Sequence, residues 1–154
     1  MTVNCPSPGS PAATPPTWSI QLLYDGDCPL CLREVRFLKS RDRRGAIDFV
    51  DIASPHYDPL LHQNISYHDA MGRIHAILPS GEILRDVAVF RHLYQAVGLG
   101  WVYALTRLRG VETLANWVYG IWARRRLAWT GRPDLAELEA QRQCQTGRCS
   151  PPSA

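Results

Sequence analysis

Ile20-Gln21-Leu22-Leu23-Tyr24-Asp25-Gly26-Asp27-Cys28-Pro29-Leu30-Cys31-Leu32-Arg33-Glu34-Val35-Arg36-Phe37-Leu38-Lys39 is the stretch on which the fold turns. Ile20 to Tyr24 is an apolar run of strand length, Asp25-Gly26-Asp27 has turn chemistry, and Leu32 to Lys39 has helical spacing. The two cysteines therefore stand where a strand passes through a tight turn into a helix. Two intervening residues let the sulfurs approach within bonding distance, and the N–H groups and dipole of a first helical turn favour a thiolate. Pro29 falls at an early helical position, where its missing N–H costs nothing. Cys31, Val35 and Leu38 share a face by i, i+4, i+7 spacing, with Arg33, Arg36 and Lys39 pointing elsewhere. The spacing thus predicts Cys31 as the buried cysteine and Cys28 as the exposed one.

Working outward, Gly45 has the chemistry of a helix C-cap, and Ile47-Asp48-Phe49-Val50-Asp51-Ile52 alternates imperfectly, as a second strand does. Ser54 to Asn64 carries two prolines and reads as a loop or short helical turn. Ser66-Tyr67-His68-Asp69 has the spacing of a helix start or tight turn. Arg73 to Leu78 and Glu82 to Arg85 flank Pro79-Ser80-Gly81, which predicts a hairpin. Asp86 is placed to cap a helix whose apolar stripe is Val87, Phe90, Leu93, Tyr94 and Val97, and Gly98 ends it. The order β-α-β-(turn or short α)-β-β-α predicts an α/β fold of thioredoxin type, a glutaredoxin-type β-α-β-β-β-α core with a helical C-terminal extension.

In that extension, Trp101, Tyr103, Trp117, Tyr119 and Trp122 stand between arginines, as one or two amphipathic helices broken near Arg109-Gly110. They cover the sheet or extend the core; the alternatives are a partner groove or peripheral contact with a membrane surface. Pro133-Asp134 begins a short helix through Leu135, Leu138 and Gln141. The organisation expected is a disordered tail over 1–17, a core over 18–98, a helical extension over 99–140 packed on the core, and a flexible cysteine-containing tail over 141–154.

At 154 residues, 45% hydrophobic and 20% charged, the chain suits one domain with a real core. A net charge of +3 is too small to argue for nucleic acid. Arg33, Arg36, Lys39, Arg41, Arg43 and Arg44 read as a solvated face near a helix C-terminus, with a dock for an acidic partner as the alternative. Met1 to Thr17 lacks the pattern of a secretory leader. The most apolar long segment, Gly98 to Leu127, is interrupted by Arg107, Arg109, Glu112 and Arg124 to Arg126, so no transmembrane segment is expected. Cytoplasmic placement follows, and in a reducing compartment a C-x-x-C is catalytic or metal-binding rather than a structural staple.

The chemistry follows from the thiolate, the nucleophile of disulfide exchange. Cys28 is placed to attack a substrate disulfide, and Cys31 to resolve the mixed disulfide; the reverse direction oxidises a dithiol. Asp25 is a candidate proton acceptor during resolution, or else a turn and cap residue. Cys144 and Cys149, a C-x4-C near the end of the chain, are candidates for a shuttle pair or are spare thiols of a frayed tail. Cys5 reads as an incidental exposed thiol. The alternative function is a zinc or iron–sulfur module ligated by Cys28, Cys31, Cys144 and Cys149. A third is an adaptor that uses the fold and aromatic helices without catalysis. His56, His62, His68, His75 and His92 lack ligand spacing, though mid-strand His75 is a candidate to face the motif. There is no G-x-G-x-x-G and no P-loop, so no cofactor is expected and electrons come from an external protein or low-molecular-weight thiol.

Tyr24-Asp25-Gly26-Asp27-Cys28-Pro29-Leu30-Cys31, with Val35-Arg36-Phe37-Leu38 and Arg41-Asp42-Arg43, resembles the DCC family of thiol–disulfide oxidoreductases. Its signature aspartate three residues before C-x-x-C is matched by Asp25, Cys28 and Cys31. Asp69-Ala70-Met71, His75 and Phe90-Arg91-His92-Leu93-Tyr94 also resemble it, over roughly residues 20–132. The resemblance implies a thioredoxin-like fold and oxidoreductase activity on a protein or small-thiol substrate. One departure stands out. Thioredoxins and glutaredoxins place a cis-proline just before the third strand, beside the cysteines, whereas Asp69-Ala70-Met71-Gly72-Arg73 holds none. Met71 or Gly72 is expected in that place.

Overall fold

Strand, turn and helix follow one another through the quoted stretch as its spacing predicts. The computed structural model of the chain describes residues 17–129, 131, 133 and 135–145. The tail expected over 1–17, apart from Thr17, and the end of the chain lie outside these residues, and with them Cys5 and Cys149.

Strand β1 (Ile20–Tyr24) leads through the Asp25–Asp27 turn into helix α1 (Pro29–Arg41), and β2 (Ile47–Asp51) returns parallel to β1. A single 3-10 turn (Pro59–Leu61) and helix α2 (Tyr67–Gly72) precede the hairpin of β3 (His75–Ile77) and β4 (Ile83–Arg85). Helix α3 (Val87–Ala96) closes this unit. The sheet order is β2-β1-β3-β4, with β3 antiparallel to both β1 and β4. The fold is therefore the thioredoxin-like α/β arrangement that the element order predicts. The extension consists of a 3-10 segment (Gly100–Arg107), a long helix α4 (Arg109–Trp129) and α5 (Leu135–Gln145).

The period-two alternation of β1 divides the interior. Ile20 and Leu22 face α1 and α3, where they pack with Leu38, Ala76, Val89 and Leu93. Leu23 faces the other way, into a second cluster with Ile52, Tyr57, Met71, Ile77 and Leu138, so α2 and α5 cover the opposite face. Each cluster removes apolar surface from water at about 25 cal/mol per Å2, which holds both helix layers to the sheet. Arg142 anchors α5: its guanidinium donates to the carbonyls of Ile52 at 2.6 Å and Ser54 at 3.0 Å and lies over the rings of Tyr67 and Tyr57.

Several local expectations need correction. Helix α1 ends at Arg41 with Asp42, not Gly45, as its C-cap. Asp42 instead receives the N–H groups of Ala46 and Ile47, each at 2.9 Å, while Gly45 supplies a turn at φ +62°. Asp86 does stand at the N-cap of α3, but its side chain makes no capping bond and pairs with Arg73 at 3.1 Å. The orphan N–H of Val87 goes to Oδ1 of Asn116 on α4, at 3.2 Å. Ser66 caps α2 by accepting from the Asp69 N–H, and Gly98, at φ +79°, follows the end of α3.

The aromatic residues of the extension divide between two environments. Tyr103, Tyr119 and Trp122 turn inward, joining a run of ring contacts Phe37–Tyr94–Tyr103–Phe90–Tyr119–Trp122 with centroid separations of 4.9 to 6.1 Å. Trp101 and Trp117 face outward. Among the described residues no helix is long and apolar enough to cross a membrane.

Candidate active site

The turn before the cysteines is built from its own aspartate and one from the neighbouring strand. The Cys28 N–H donates to the Asp25 carbonyl at 3.2 Å, and Asp25 Oδ1 accepts from the Asp27 N–H at 3.1 Å, an Asx-type turn. Asp51, the last residue of β2, reaches across: its Oδ1 accepts from the N–H of Gly26 at 2.9 Å and of Ala53 at 2.8 Å. A Cβ at position 26 would overlap the Asp51 carboxylate, so any other residue there has to displace it. Nothing in the sequence marks Asp51 beyond an aspartate at a strand end; its role comes from the register that sets Tyr24 beside it.

Cys28 is the N-cap of α1 and Pro29 its first residue; the Leu32 N–H closes the first helical bond to the Cys28 carbonyl at 2.9 Å. The burial order of the cysteines is the reverse of the one expected. Cys28 is 1% exposed, drawn in against the pinned turn, whereas Cys31 is half-buried. Cys31 does lie on the inward face with Val35, as the helical spacing predicts, but at this end of α1 that face borders a cavity rather than packed core. No disulfide joins the cysteines among the described residues.

The cavity measures about 390 Å3. Asp25, Leu30, Cys31 and Glu34 form one side, Phe90, Tyr103, Tyr119 and Trp122 the other, with Ile74 at the end of the sheet. Asp25 is 2% exposed, so its carboxylate belongs to the interior wall. Glu34 hydrogen-bonds the Tyr94 hydroxyl, and burial together with the Glu34 charge pushes the Tyr94 phenol far above its ordinary range. Burial, then Glu34, also raises Tyr103. The second oxygen, Glu34 Oε1, is shut off from solvent with no hydrogen-bond donor among the described residues. The place of a cis-proline before β3 falls to Ile74, not to Met71 or Gly72, which close α2. The Ile74 N–H is already taken by the Tyr119 hydroxyl of α4, at 3.1 Å.

A model of the DCC1-like thiol-disulfide oxidoreductase family matches residues 22–132. The chain belongs to that family. The matched span carries the DCC1-like domain from β1 through α4, so the covering helix lies within it along with the cysteines. An uncharacterised chloroplastic protein of Arabidopsis thaliana is 47% identical over 137 residues, covering 88% of this chain. The chain spans 64% of the length of that relative. No solved structure matches. The relative's name gives the cytoplasmic expectation no support.

Other candidate residues of this DCC1-like chain fall elsewhere. His75 is buried, but it lines a separate polar recess with His68, Asp69, Arg73 and Arg85, and its Nδ1 lies 2.9 Å from the Arg73 carbonyl. Burial lowers its pKa, with the Arg73 carbonyl opposing. Cys144 is exposed on α5, and Cys149 lies outside the described residues. Among the described residues no three His, Cys, Asp or Glu side chains are grouped to hold a metal, so Cys28, Cys31 and Cys144 do not converge on one site. In the sequence Glu34 reads as one more charge on an Arg-rich helix and Tyr119 as one aromatic residue of the extension; neither pattern marks a wall of the cysteine site.

Proposed function

We propose that this DCC1-like protein exchanges a Cys28–Cys31 dithiol and disulfide with a thiol or disulfide substrate through a mixed disulfide. The observation that carries the reading is a pair of thiols at the start of α1, one of them on the wall of a cavity with a buried carboxylate beside it. The burial order supports giving the first attack to Cys31 and resolution to Cys28, the opposite of the order expected from helical spacing.

In the reducing direction the Cys31 thiolate attacks one sulfur of R–S–S–R′. The Cys31–S–S–R bond forms, and R′–S⁻ leaves and takes up a proton. The Cys28 thiolate then attacks the Cys31 sulfur, closing the Cys28–Cys31 disulfide and expelling R–S⁻, which is protonated in turn. Two electrons pass from the dithiol to the substrate, and the two thiol protons end on the two released thiols. Asp25, on the same wall, accepts one of these protons in transit. Two equivalents of an external thiol reverse the sequence and regenerate the dithiol.

The test is alkylation and mass spectrometry of the full chain across glutathione redox buffers, with Cys28→Ser and Cys31→Ser variants. The expected result is reversible loss of both thiols together in the native protein, and a trapped mixed disulfide on Cys31 in Cys28→Ser. A trap on Cys28 in Cys31→Ser with none in Cys28→Ser restores the opposite order. Independent titration of the two cysteines overturns the exchange reading.

A further inference from the structure

We infer that the substrate of this site is a small aromatic disulfide or thiol bearing a hydrogen-bond donor, bound whole in the cavity, rather than a disulfide presented by a polypeptide. The inference rests on the exchange reading above and adds the chemistry of what is exchanged.

Three observations carry it. The cavity of about 390 Å3 is within the range of small-ligand sites, about 300–1,000 Å3. Its far wall is made of Phe90, Tyr103, Tyr119 and Trp122, faces suited to stacking against an aromatic ring. Secondly, the backbone beside the site is closed to a peptide. Helix α4 lies across the strand end, tied down by the Ile74 N–H on the Tyr119 hydroxyl and the Val87 N–H on Asn116 Oδ1, so an extended chain approaching there meets the helix before it meets the sheet. Thirdly, Glu34 Oε1, on the wall that carries Cys31, is a buried carboxylate oxygen without a donor among the described residues. An unsatisfied charged acceptor is costly, and a ligand N–H or O–H relieves that cost only when bound. The site thus combines a thiol, an aromatic wall and one open acceptor: an aryl sulfur compound with an amino or hydroxyl group satisfies all three. The exchange step is the one written above, with R an aryl group; its sulfur meets Cys31, and the aryl thiolate, a good leaving group because of its low pKa, departs on resolution.

The test separates binding from exchange by using thioethers, which cannot react. Isothermal titration of the reduced full chain with 4-(methylthio)aniline, thioanisole and S-methylglutathione compares ring plus donor, ring alone, and a polar peptide. The aniline is expected to bind about tenfold tighter than thioanisole, the factor that a hydrogen bond to a charged group supplies, and S-methylglutathione weakest of the three. In Glu34→Leu the aniline-to-thioanisole ratio falls to about one, because the acceptor is gone. Glu34→Gln, which keeps an acceptor oxygen and the shape, retains part of the ratio. In parallel, exchange rates with bis(4-aminophenyl) disulfide and glutathione disulfide are each normalised to the rate with β-mercaptoethanol, and the aryl compound is expected to be favoured about tenfold, matching the binding ratio. Equal binding of all three probes, a preference for S-methylglutathione, or an aniline ratio unchanged in both Glu34 variants overturns the substrate assignment. A reversible Cys28–Cys31 disulfide alongside any of these results leaves the exchange reading standing. Aryl binding with no such disulfide overturns the exchange reading and the substrate assignment with it.

Discussion

Replacing Gly26 by alanine should damage this protein through a residue 25 positions away. The three atoms nearest a Cβ at position 26 all belong to the Asp51 carboxylate, and all three would lie within 2.6 Å, so the carboxylate must leave or the turn must lift. Either movement breaks the bonds from the Gly26 and Ala53 N–H groups to Oδ1, at 2.9 and 2.8 Å. Hydrogen bonds to a charged group contribute about 1.5–3 kcal/mol each, and the partial exposure of this pair argues for the lower end, so Gly26→Ala should cost about 2–4 kcal/mol. Asp51→Ala loses the same two bonds and should cost a similar amount. The double variant discriminates. If the alanine methyl acts by displacing the carboxylate, removing the carboxylate first leaves the methyl nothing to displace. Gly26→Ala/Asp51→Ala should then be no less stable than Asp51→Ala, with a coupling energy equal to the Gly26→Ala cost, about 2–4 kcal/mol. Urea unfolding of the four proteins supplies the cycle, and the alkylation rate of Cys28 reports on the turn, rising where the turn lifts. Additive costs, or a Gly26→Ala protein as stable as the native one, would refute the argument that Asp51 pins the cysteine turn.

Three further outcomes are expected. Arg142→Ala removes two carbonyl contacts and the stacking on Tyr67, and should lower stability by about 2–4 kcal/mol and open α5 to protease; an unchanged digestion pattern would count against Arg142 as the anchor. Tyr119→Phe leaves the Ile74 N–H without its acceptor and should cost about 1–3 kcal/mol in unfolding free energy; an unchanged unfolding midpoint would mean water replaces the hydroxyl freely. His75 has a folded-state pKa lowered mainly by burial. The unfolded chain therefore takes up the proton at higher pH than the folded chain, and stability falls as pH drops below the ordinary histidine value of about 6.5. His75→Asn should flatten that slope in denaturation curves, and parallel slopes for the two proteins would place the acid sensitivity elsewhere.

How much of this was legible in the sequence depended on whether the signal was local. The β1–turn–α1 start, the Pro79-Ser80-Gly81 hairpin and the Gly98 stop all follow from spacing or backbone preference within a few residues, and all appear where expected. Failures begin where a distant residue competes for the same group. Asp86 sits at its cap position, but Arg73 takes its carboxylate and Asn116, thirty positions on, takes the N–H it was expected to bind. Helical spacing put Cys31 on the inward face and was right about the face; it carried no information on whether that face would meet packed side chains or a void. Glu34 shows the same limit. Its spacing gives a direction, but only the arrival of α4 and the 3-10 segment turns that direction into an interior wall.

The covering helix makes access to the cysteine site and stability of the site end of the molecule a single quantity. Asn116 completes the start of α3, Tyr119 takes the Ile74 N–H before β3, and the rings of Phe90, Tyr119 and Trp122 close the cavity over Cys31. Lifting α4 far enough to admit a folded partner breaks both hydrogen bonds together, leaving two backbone donors unsatisfied at about 1–3 kcal/mol each, besides the exposure of the rings. A ligand small enough to enter without lifting α4 incurs none of this. On the exchange reading proposed above, selectivity by size needs no dedicated gate, because the cost of opening falls on large substrates alone. Substitutions in α4 that weaken its hold should therefore loosen selectivity and stability in proportion, and those on its outward face, around Trp117, should change neither.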